Sequence, residues 1–186
     1  MKNLTFITGA ARSGKSLLAE ELASKSGKPV VYLATMQIFE EDPEQVRRLE
    51  LHRRRRPSQW KTIEAPFAAE KIILNLPEEN SFVVFDCLSL YVTNMLIATA
   101  GGGGDISDPY EKEAEIFASV RDLLDAMLAR TSIEFVIVSN EVGWGVVPET
   151  PLGRAFRDFL GVSNQMAAAA ADRAFLSCAG LRVQLK

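Results

Sequence analysis

The chain has 186 residues, 47% hydrophobic and 24% charged, which is enough to bury the core of one globular domain. Its formal net charge of −3 excludes an overall basic field that would attract nucleic acid or an anionic membrane surface. Because no apolar run approaches the roughly 18 residues that span a bilayer and no signal-peptide pattern opens the sequence, we expect one cytoplasmic domain over residues 1–186.

Short apolar runs alternate with segments of helical periodicity along the chain. The runs predict strands, in chain order, at residues 3–8, 29–34, 60–64, 81–87, 133–139, 175–178 and 181–185. The periodic segments predict helices at residues 15–25, 43–55, 68–76, 88–98, 109–130, 150–160 and 162–171. Four consecutive glycines at 101–104 predict a mobile loop. This alternation predicts an α/β fold with a mostly parallel sheet, helices on both faces and a short C-terminal strand pair.

The chain has two cysteines, Cys87 and Cys178, which are far apart in the sequence. Neither belongs to a CxxC pair or to a Cys/His spacing that binds metal. We therefore expect both to be reduced thiols in the core of a cytoplasmic protein.

A glycine-rich segment between the first predicted strand and the first predicted helix matches the phosphate-loop pattern GxxxxGK[ST]. Its residues are Gly9, Ala10, Ala11, Arg12, Ser13, Gly14, Lys15 and Ser16. Glycines let successive backbone N–H groups point at phosphate oxygens, the lysine contacts the β- and γ-phosphates, and the serine hydroxyl ligates Mg²⁺. The segment therefore predicts a P-loop that binds a purine triphosphate; the alternative is a glycine turn without a ligand.

An acid, Asp86, ends the apolar run at 81–87. Parallel α/β sheets bind ligands at the carboxyl ends of their strands, where the magnesium-side acid of P-loop enzymes lies. Asp86 is therefore predicted to hold Mg²⁺ together with Ser16. It could also cap the helix that follows, and the two roles are compatible.

The chain has one histidine, His52, followed directly by Arg53, Arg54, Arg55 and Arg56. Four guanidinium groups beside an imidazole would form a local anion site and would oppose protonation of the ring. A neutral ring nitrogen can attack phosphorus, so His52 is a candidate nucleophile. Taken separately, the histidine would be an ordinary surface or core residue and the arginines a solvated helix end.

Several segments, in the phosphate loop and beyond it, match one enzyme family. They are residues 8–16, with Ala10 at the family's second glycine, 32–37, 92–94, 139–149, 156–158 and 164–165, together with a histidine five residues before Pro57. Over essentially its whole length, the chain resembles the bifunctional adenosylcobinamide kinase and adenosylcobinamide-phosphate guanylyltransferase family of cobalamin biosynthesis.

The resemblance implies two reactions and a set of nucleotide contacts. ATP or GTP would phosphorylate adenosylcobinamide, and GTP would then pass GMP through His52 to give adenosylcobinamide-GDP. The residues implied to contact the guanine nucleotide are Ala34, Thr35, Met36, Arg53, Arg54, Arg55, Arg56 and Glu64. Glu64 would accept hydrogen bonds from guanine and reject adenine; otherwise it is an exposed carboxylate at a strand end. Relatives form trimers, which implies a homo-oligomer.

Three alternatives stay open. A P-loop kinase of another small alcohol would need His52 only as a structural residue. A nucleotide-dependent regulator that binds a partner protein would need no acceptor. Asn140 and Glu141, which follow the strand predicted at 133–139, would either orient a substrate or cap the next turn.

Overall fold

A computed structural model describes residues 3–37, 47, 56–77, 80–98 and 108–186. Within the helix predicted at 43–55, only Arg47 is described, and it is helical. The glycine loop at 101–104, His52 and Arg53, Arg54 and Arg55 lie outside the described residues.

The described strands form one seven-stranded sheet in the order β3-β2-β4-β5-β1-β6-β7. In chain order they are β1 (Leu4–Gly9), β2 (Val30–Ala34), β3 (Lys61–Glu64), β4 (Phe82–Asp86), β5 (Glu134–Val138), β6 (Arg173–Cys178) and β7 (Leu181–Gln184). The first six are parallel to their neighbours, and β7 pairs antiparallel with β6 at one edge. The mostly parallel sheet and the C-terminal strand pair are therefore confirmed.

Helices cover both faces of this sheet. They are α1 (Lys15–Lys25), α2 (Ala69–Leu74), α3 (Leu88–Ala98), α4 (Glu113–Ala129) and α5 (Pro151–Ala170). Successive residues of a strand point to opposite faces, and β4 shows the division. Phe82 and Val84 pack on the α1 side, whereas Val83 and Phe85 pack on the side of the other helices.

Two predicted helices, at 150–160 and 162–171, are one continuous helix, α5, so the predicted break at Gly161 is wrong. The buried positions of α5 continue at helical spacing on both sides of Gly161, from Phe159 and Leu160 to Ser163 and Asn164. Packing along one face therefore outweighs the intrinsic cost of a glycine in a helix.

Two further predictions differ in detail. The segment predicted as one helix at 109–130 begins with a 3-10 turn, Pro109–Lys112, and Asp108 accepts a hydrogen bond from the backbone N–H of Tyr110 at 2.9 Å. Cys178 is exposed, not in the core, because it ends β6 beside the turn into β7; Cys87 is buried as expected. Among the described helices, none has both the length and the apolar character needed to cross a membrane.

Candidate active site

The segment Gly9 to Ser16 forms a tight loop between β1 and α1. The backbone turns through positive φ angles at Arg12 (57°) and Gly14 (100°), and the N–H of Ser13 donates to the carbonyl oxygen of Ala10 at 3.2 Å. A Cβ atom on Gly9 would lie 2.1 Å from the carbonyl oxygen of Ser177, so only glycine fits there. The loop thus has the curvature with which backbone N–H groups surround phosphate oxygens.

Other elements fasten the loop from two sides. The carbonyl oxygen of Ser13 accepts hydrogen bonds from the hydroxyl of Ser177 at 2.8 Å and from the N–H of Gly180 at 2.9 Å. The carbonyl oxygen of Gly9 accepts a bond of 2.9 Å from the N–H of Glu141. The loop's shape therefore depends on the β6–β7 hairpin and on the segment after β5.

Lys15 lies at the start of α1, with its side chain over the loop. It is only 7% exposed, and its Nζ donates to the carbonyl oxygen of Ala10 at 2.5 Å and to Oγ of Ser13 at 3.5 Å. Burial lowers the pKa of Lys15, while the nearby groups of Cys87 and Asp86 act in the opposite direction. A buried cation at a helix N-terminus is the electrostatic environment that triphosphates bind.

Asp86 ends β4 and accepts a hydrogen bond on Oδ2 from the hydroxyl of Tyr32. Because α3 begins at Leu88, the position immediately before that helix is Cys87 rather than Asp86. Burial raises the pKa of Tyr32 strongly, and the charge of Asp86 adds to the effect. Tyr32 therefore stays a protonated donor that orients the carboxylate.

Three predicted site residues form one row across neighbouring strands. Ala34 of β2 is paired in register with Glu64 of β3 on one side and with Asp86 of β4 on the other. Two inter-strand spacings place the Cα atoms of Glu64 and Asp86 about 10 Å apart. The strand ends thus bring the predicted base-binding and phosphate-binding acids to a separation that one nucleotide spans.

Thr35, a predicted nucleotide contact, is fully buried and bonds to the protein backbone. Its hydroxyl accepts from the N–H of Cys87 at 2.7 Å and donates to the carbonyl oxygen of Cys87 at 2.8 Å. The side-chain amide of Asn94 donates to the carbonyl oxygens of Thr35 and Pro66 at 2.7 and 3.0 Å. Thr35 and Asn94 therefore hold together the segments that follow β2, β3 and β4.

Arg56 is the one member of the predicted arginine run that the structure describes, and it lies beside this row. Its guanidinium carbon stands 3.6 Å from the ring centroid of Tyr32. Together with Trp60, Thr62 and Glu64, it lines a cavity of about 340 Å³. Met36 is half-buried just beyond β2. Arg56 and Glu64, which the sequence predicts to contact the nucleotide, therefore line one cavity at the sheet edge.

Asn140 and Glu141 follow β5 and make structural contacts. The amide of Asn140 donates to the hydroxyl of Ser89 at 3.0 Å, and the carboxylate of Glu141 accepts from the N–H of Gly143 at 2.9 Å. Of the two predicted roles, capping of the next turn describes the Glu141 side chain. Sequence reasoning missed Ser177, because no motif signal separates it from an ordinary strand residue. Tyr32 lies in the matching segment 32–37, but the sequence assigned it no role in the site.

The sheet, the loop between β1 and α1 and the acid at the end of β4 define a P-loop nucleotide-binding protein. Solved structures share this fold. The RadB recombinase matches with a TM-score of 0.52 and 16% identity, covering 94% of this chain and 73% of that one. A type III secretion ATPase matches with a TM-score of 0.56 and 13% identity, covering 99% and 58%.

Within this class, the chain belongs to the cobinamide kinase / cobinamide phosphate guanyltransferase family, which matches residues 5–185. The bifunctional adenosylcobalamin biosynthesis protein CobU of Escherichia coli is 40% identical, with 98% of this chain and 99% of that protein covered. CobP of Pseudomonas aeruginosa is 38% identical, with 97% and 95% covered. CobU of Salmonella typhimurium is 36% identical, with 98% and 99% covered. The protein is therefore a transferase with kinase and guanylyltransferase activity.

Proposed function

We propose that this protein phosphorylates the hydroxyl of adenosylcobinamide with ATP or GTP and then transfers GMP from GTP to that phosphate through a GMP-histidine intermediate. The observation that carries the proposal is the row of Glu64, Ala34 and Asp86 beside the P-loop. In this proposal, Glu64 would bind the base and Asp86 would lie on the phosphate side of one purine nucleotide at a single sheet edge.

In the kinase step, the P-loop backbone and Lys15 bind the triphosphate. The ammonium of Lys15, which lies over the loop, can move from the Ala10 carbonyl to the β- and γ-phosphate oxygens. Charge that develops on the γ-phosphoryl group is then stabilised by a preorganised cation in a buried site. The acceptor oxygen forms a bond to the γ-phosphorus as the bond to the β-phosphate oxygen breaks, and the hydroxyl proton is released to solvent.

The donor set at this edge fits Mg²⁺. Ser16 at the start of α1 and Asp86 at the end of β4 supply a hydroxyl and a carboxylate. Magnesium prefers such sites, where one or two protein oxygens are completed by phosphates and water. When bound, it would supply charge neutralisation between the phosphates, with Ser16 and Asp86 holding it.

In the guanylyltransferase step, His52 would be the nucleophile. A ring nitrogen forms a bond to the α-phosphorus of GTP as the bond to the β-phosphate oxygen breaks, releasing pyrophosphate. An oxygen of adenosylcobinamide phosphate then forms a bond to the same phosphorus, and the nitrogen-phosphorus bond breaks to restore His52. Arg53, Arg54, Arg55 and Arg56 would stabilise the phosphate charge.

The cavity beside Arg56 is proposed to bind guanine. Guanine carries adjacent N–H donors on the edge where adenine does not, and the carboxylate of Glu64 accepts such donors. Ala34 and Met36 would border the nucleotide from β2, and Thr35 would act through the backbone that it holds.

The test is labelling with GTP in the presence of Mg²⁺, comparing the wild type with His52→Ala. We expect an acid-labile, base-stable label from α-labelled GTP on the wild type, no label from γ-labelled GTP, and none on the variant. Phosphorylation of adenosylcobinamide by ATP should persist in His52→Ala, which shows that the variant is folded. An unlabelled wild type that still binds GTP would sink the histidine mechanism.

The two other functions make different predictions. A kinase of another small alcohol would bind nucleotide, form no GMP adduct and leave adenosylcobinamide unchanged. A regulator would bind a partner protein only with nucleotide and transfer phosphate to no cobinamide acceptor. A cytoplasmic location and a homo-oligomer, with a trimer as the state implied by resemblance, also stay predictions; size-exclusion chromatography with light scattering measures the latter.

A further inference from the structure

The side chain of Tyr32 contacts two residues of the candidate site, Asp86 and Arg56. Its hydroxyl donates to Oδ2 of Asp86, on the magnesium side. The face of its ring carries the guanidinium of Arg56, with 3.6 Å between the guanidinium carbon and the ring centroid. In the sequence, Arg56 follows His52 by four positions and is the last residue of the arginine run at 53–56.

Neither contact is explained by packing alone. Tyr32 is 1% exposed in the core on the α1 side of the sheet, where a phenylalanine would fill the same space without a polar atom to satisfy. Two nitrogens of Arg56, Nε and Nη1, are buried without a hydrogen-bond partner among the described residues. A guanidinium so placed costs free energy unless a ring face or a bound anion compensates it.

The position of β2 explains how one residue reaches both groups. This strand lies between β3 and β4, so its side chains are flanked by the strand that carries Glu64 and the strand that carries Asp86. Tyr32 stands two residues before Ala34 on the same face, and its long side chain extends toward the carboxyl ends of the strands. From this position, two residues before the row of Glu64, Ala34 and Asp86, its hydroxyl reaches Asp86 and its ring faces Arg56.

We propose that Tyr32 is a positioning residue with two separable functions. Its hydroxyl fixes the orientation of the Asp86 carboxylate for the metal-nucleotide complex, and its ring holds Arg56 where the α-phosphate of GTP reacts. This inference rests on the proposed function, since it assigns Asp86 and Arg56 to the two steps. The two steps thereby depend on different parts of one buried side chain.

The experiment compares Tyr32→Phe, which removes only the hydroxyl, with Tyr32→Leu, which also removes the ring. If the Tyr32→Leu variant does not fold, Tyr32→Met is used in its place. Tyr91→Phe is the matched control, because Tyr91 is also 1% exposed and its hydroxyl lies 3.4 Å from a carboxylate oxygen of Glu70, away from the P-loop. Mn²⁺ binding is followed by electron paramagnetic resonance with the α,β-methylene analogue of GTP, which cannot transfer GMP. GMP labelling is measured separately at saturating metal.

For Tyr32→Phe we expect Mn²⁺ affinity to fall about 10-fold, as for other residues that orient a metal ligand, with labelling at saturating metal near the wild-type rate. For the variant without the ring we expect labelling to fall at least about 10-fold further at saturating metal, because Arg56 loses its support. Tyr91→Phe should change neither.

Wild-type metal affinity in Tyr32→Phe would overturn the function of the hydroxyl. Equal labelling rates with and without the ring would overturn the function of the ring. Absence of GMP label on the wild type would instead reject the histidine mechanism, and the metal measurement would still decide whether Tyr32 positions Asp86.

Discussion

The hydroxyl of Ser177 donates a hydrogen bond of 2.8 Å to the carbonyl oxygen of Ser13, in the middle of the phosphate loop. Nearly the whole chain separates these residues in sequence. The same oxygen accepts a second bond, from the N–H of Gly180 in the turn between β6 and β7. The conformation of the N-terminal phosphate loop is therefore maintained by the C-terminal hairpin.

Replacing Ser177 with alanine should weaken GTP binding about 3- to 10-fold, because one of the two bonds that hold Ser13 is lost, at a net cost of about 1 kcal/mol. Titration calorimetry measures the affinity. Ser26→Ala is the control: it removes a bond of 2.7 Å from the Ser26 hydroxyl to the carbonyl oxygen of Ala23 at the far end of α1. It should cost similar stability and leave GTP affinity unchanged; a Ser177→Ala variant that binds GTP like the wild type would contradict the prediction.

Two glycine-to-alanine substitutions should differ in outcome: one should abolish nucleotide binding, and the other should stabilise the protein. Gly9→Ala places a methyl group 2.1 Å from the carbonyl oxygen of Ser177, so the loop must shift and nucleotide binding should be abolished. At Gly161, within α5, a methyl group meets no described atom within 4 Å apart from the neighbouring residues and the backbone of its own helix, and alanine should raise the free energy of unfolding by about 0.5–1 kcal/mol. Urea denaturation and GTP titration measure both effects, and retained GTP affinity in Gly9→Ala would refute the close approach.

Substitution of Lys15 by alanine should lower the rate of the kinase step about 100- to 1000-fold, because the developing charge loses its buried cation. Lys25→Ala serves as the control on the same helix, since Lys25 is 67% exposed and pairs with Glu21 on the helix surface. Its rate should match the wild type. The measurement is single-turnover transfer from γ-labelled ATP to adenosylcobinamide, and comparable rates in the two variants would exclude Lys15 from catalysis.

The identity of the residue at 64 should control base selection. Glu64→Gln keeps the shape but replaces one acceptor oxygen with a donor, so GMP labelling from GTP should fall about 100-fold or more while binding of ATP changes little. Thr62→Ala, in the same cavity, should preserve the preference for GTP. Competition between labelled GTP and ATP gives the selectivity, and unchanged selectivity in Glu64→Gln would assign guanine recognition elsewhere.

The two cysteines should differ sharply in reactivity. Burial raises the pKa of the Cys87 thiol to about 11, so its reactive thiolate is scarce at neutral pH and increases only as the pH approaches that value. Cys178 is exposed. We expect one equivalent of thiol to react quickly with a chromogenic disulfide reagent at pH 7.5 and the second only after denaturation. Rapid reaction of both in the native protein would show that Cys87 is accessible.

Local patterns were sufficient for several of the regular elements. The helices Lys15–Lys25 and Leu88–Ala98 have the predicted bounds, because apolar spacing, a glycine or an acid before the first turn, and the following breaker agree in each. The same reasoning failed at Gly161, where a local cost was outweighed by burial of one continuous face of α5. It also failed at Cys178, since exposure at a strand end depends on what packs there.

In the candidate site, too, some features could be predicted from the sequence and others could not. The phosphate loop and the acid at the end of β4 are contiguous signals whose chemistry requires particular residue types, and the sequence determined them together with the α/β class. Which residues meet was decided only by the tertiary structure: strand order places Glu64 and Asp86 on either side of Ala34. Folding likewise brings Ser177 to Ser13 and the ring of Tyr32 to Arg56. The physical reason is that periodicity reports the face on which a residue lies, whereas partners distant in sequence are selected by packing of the whole sheet.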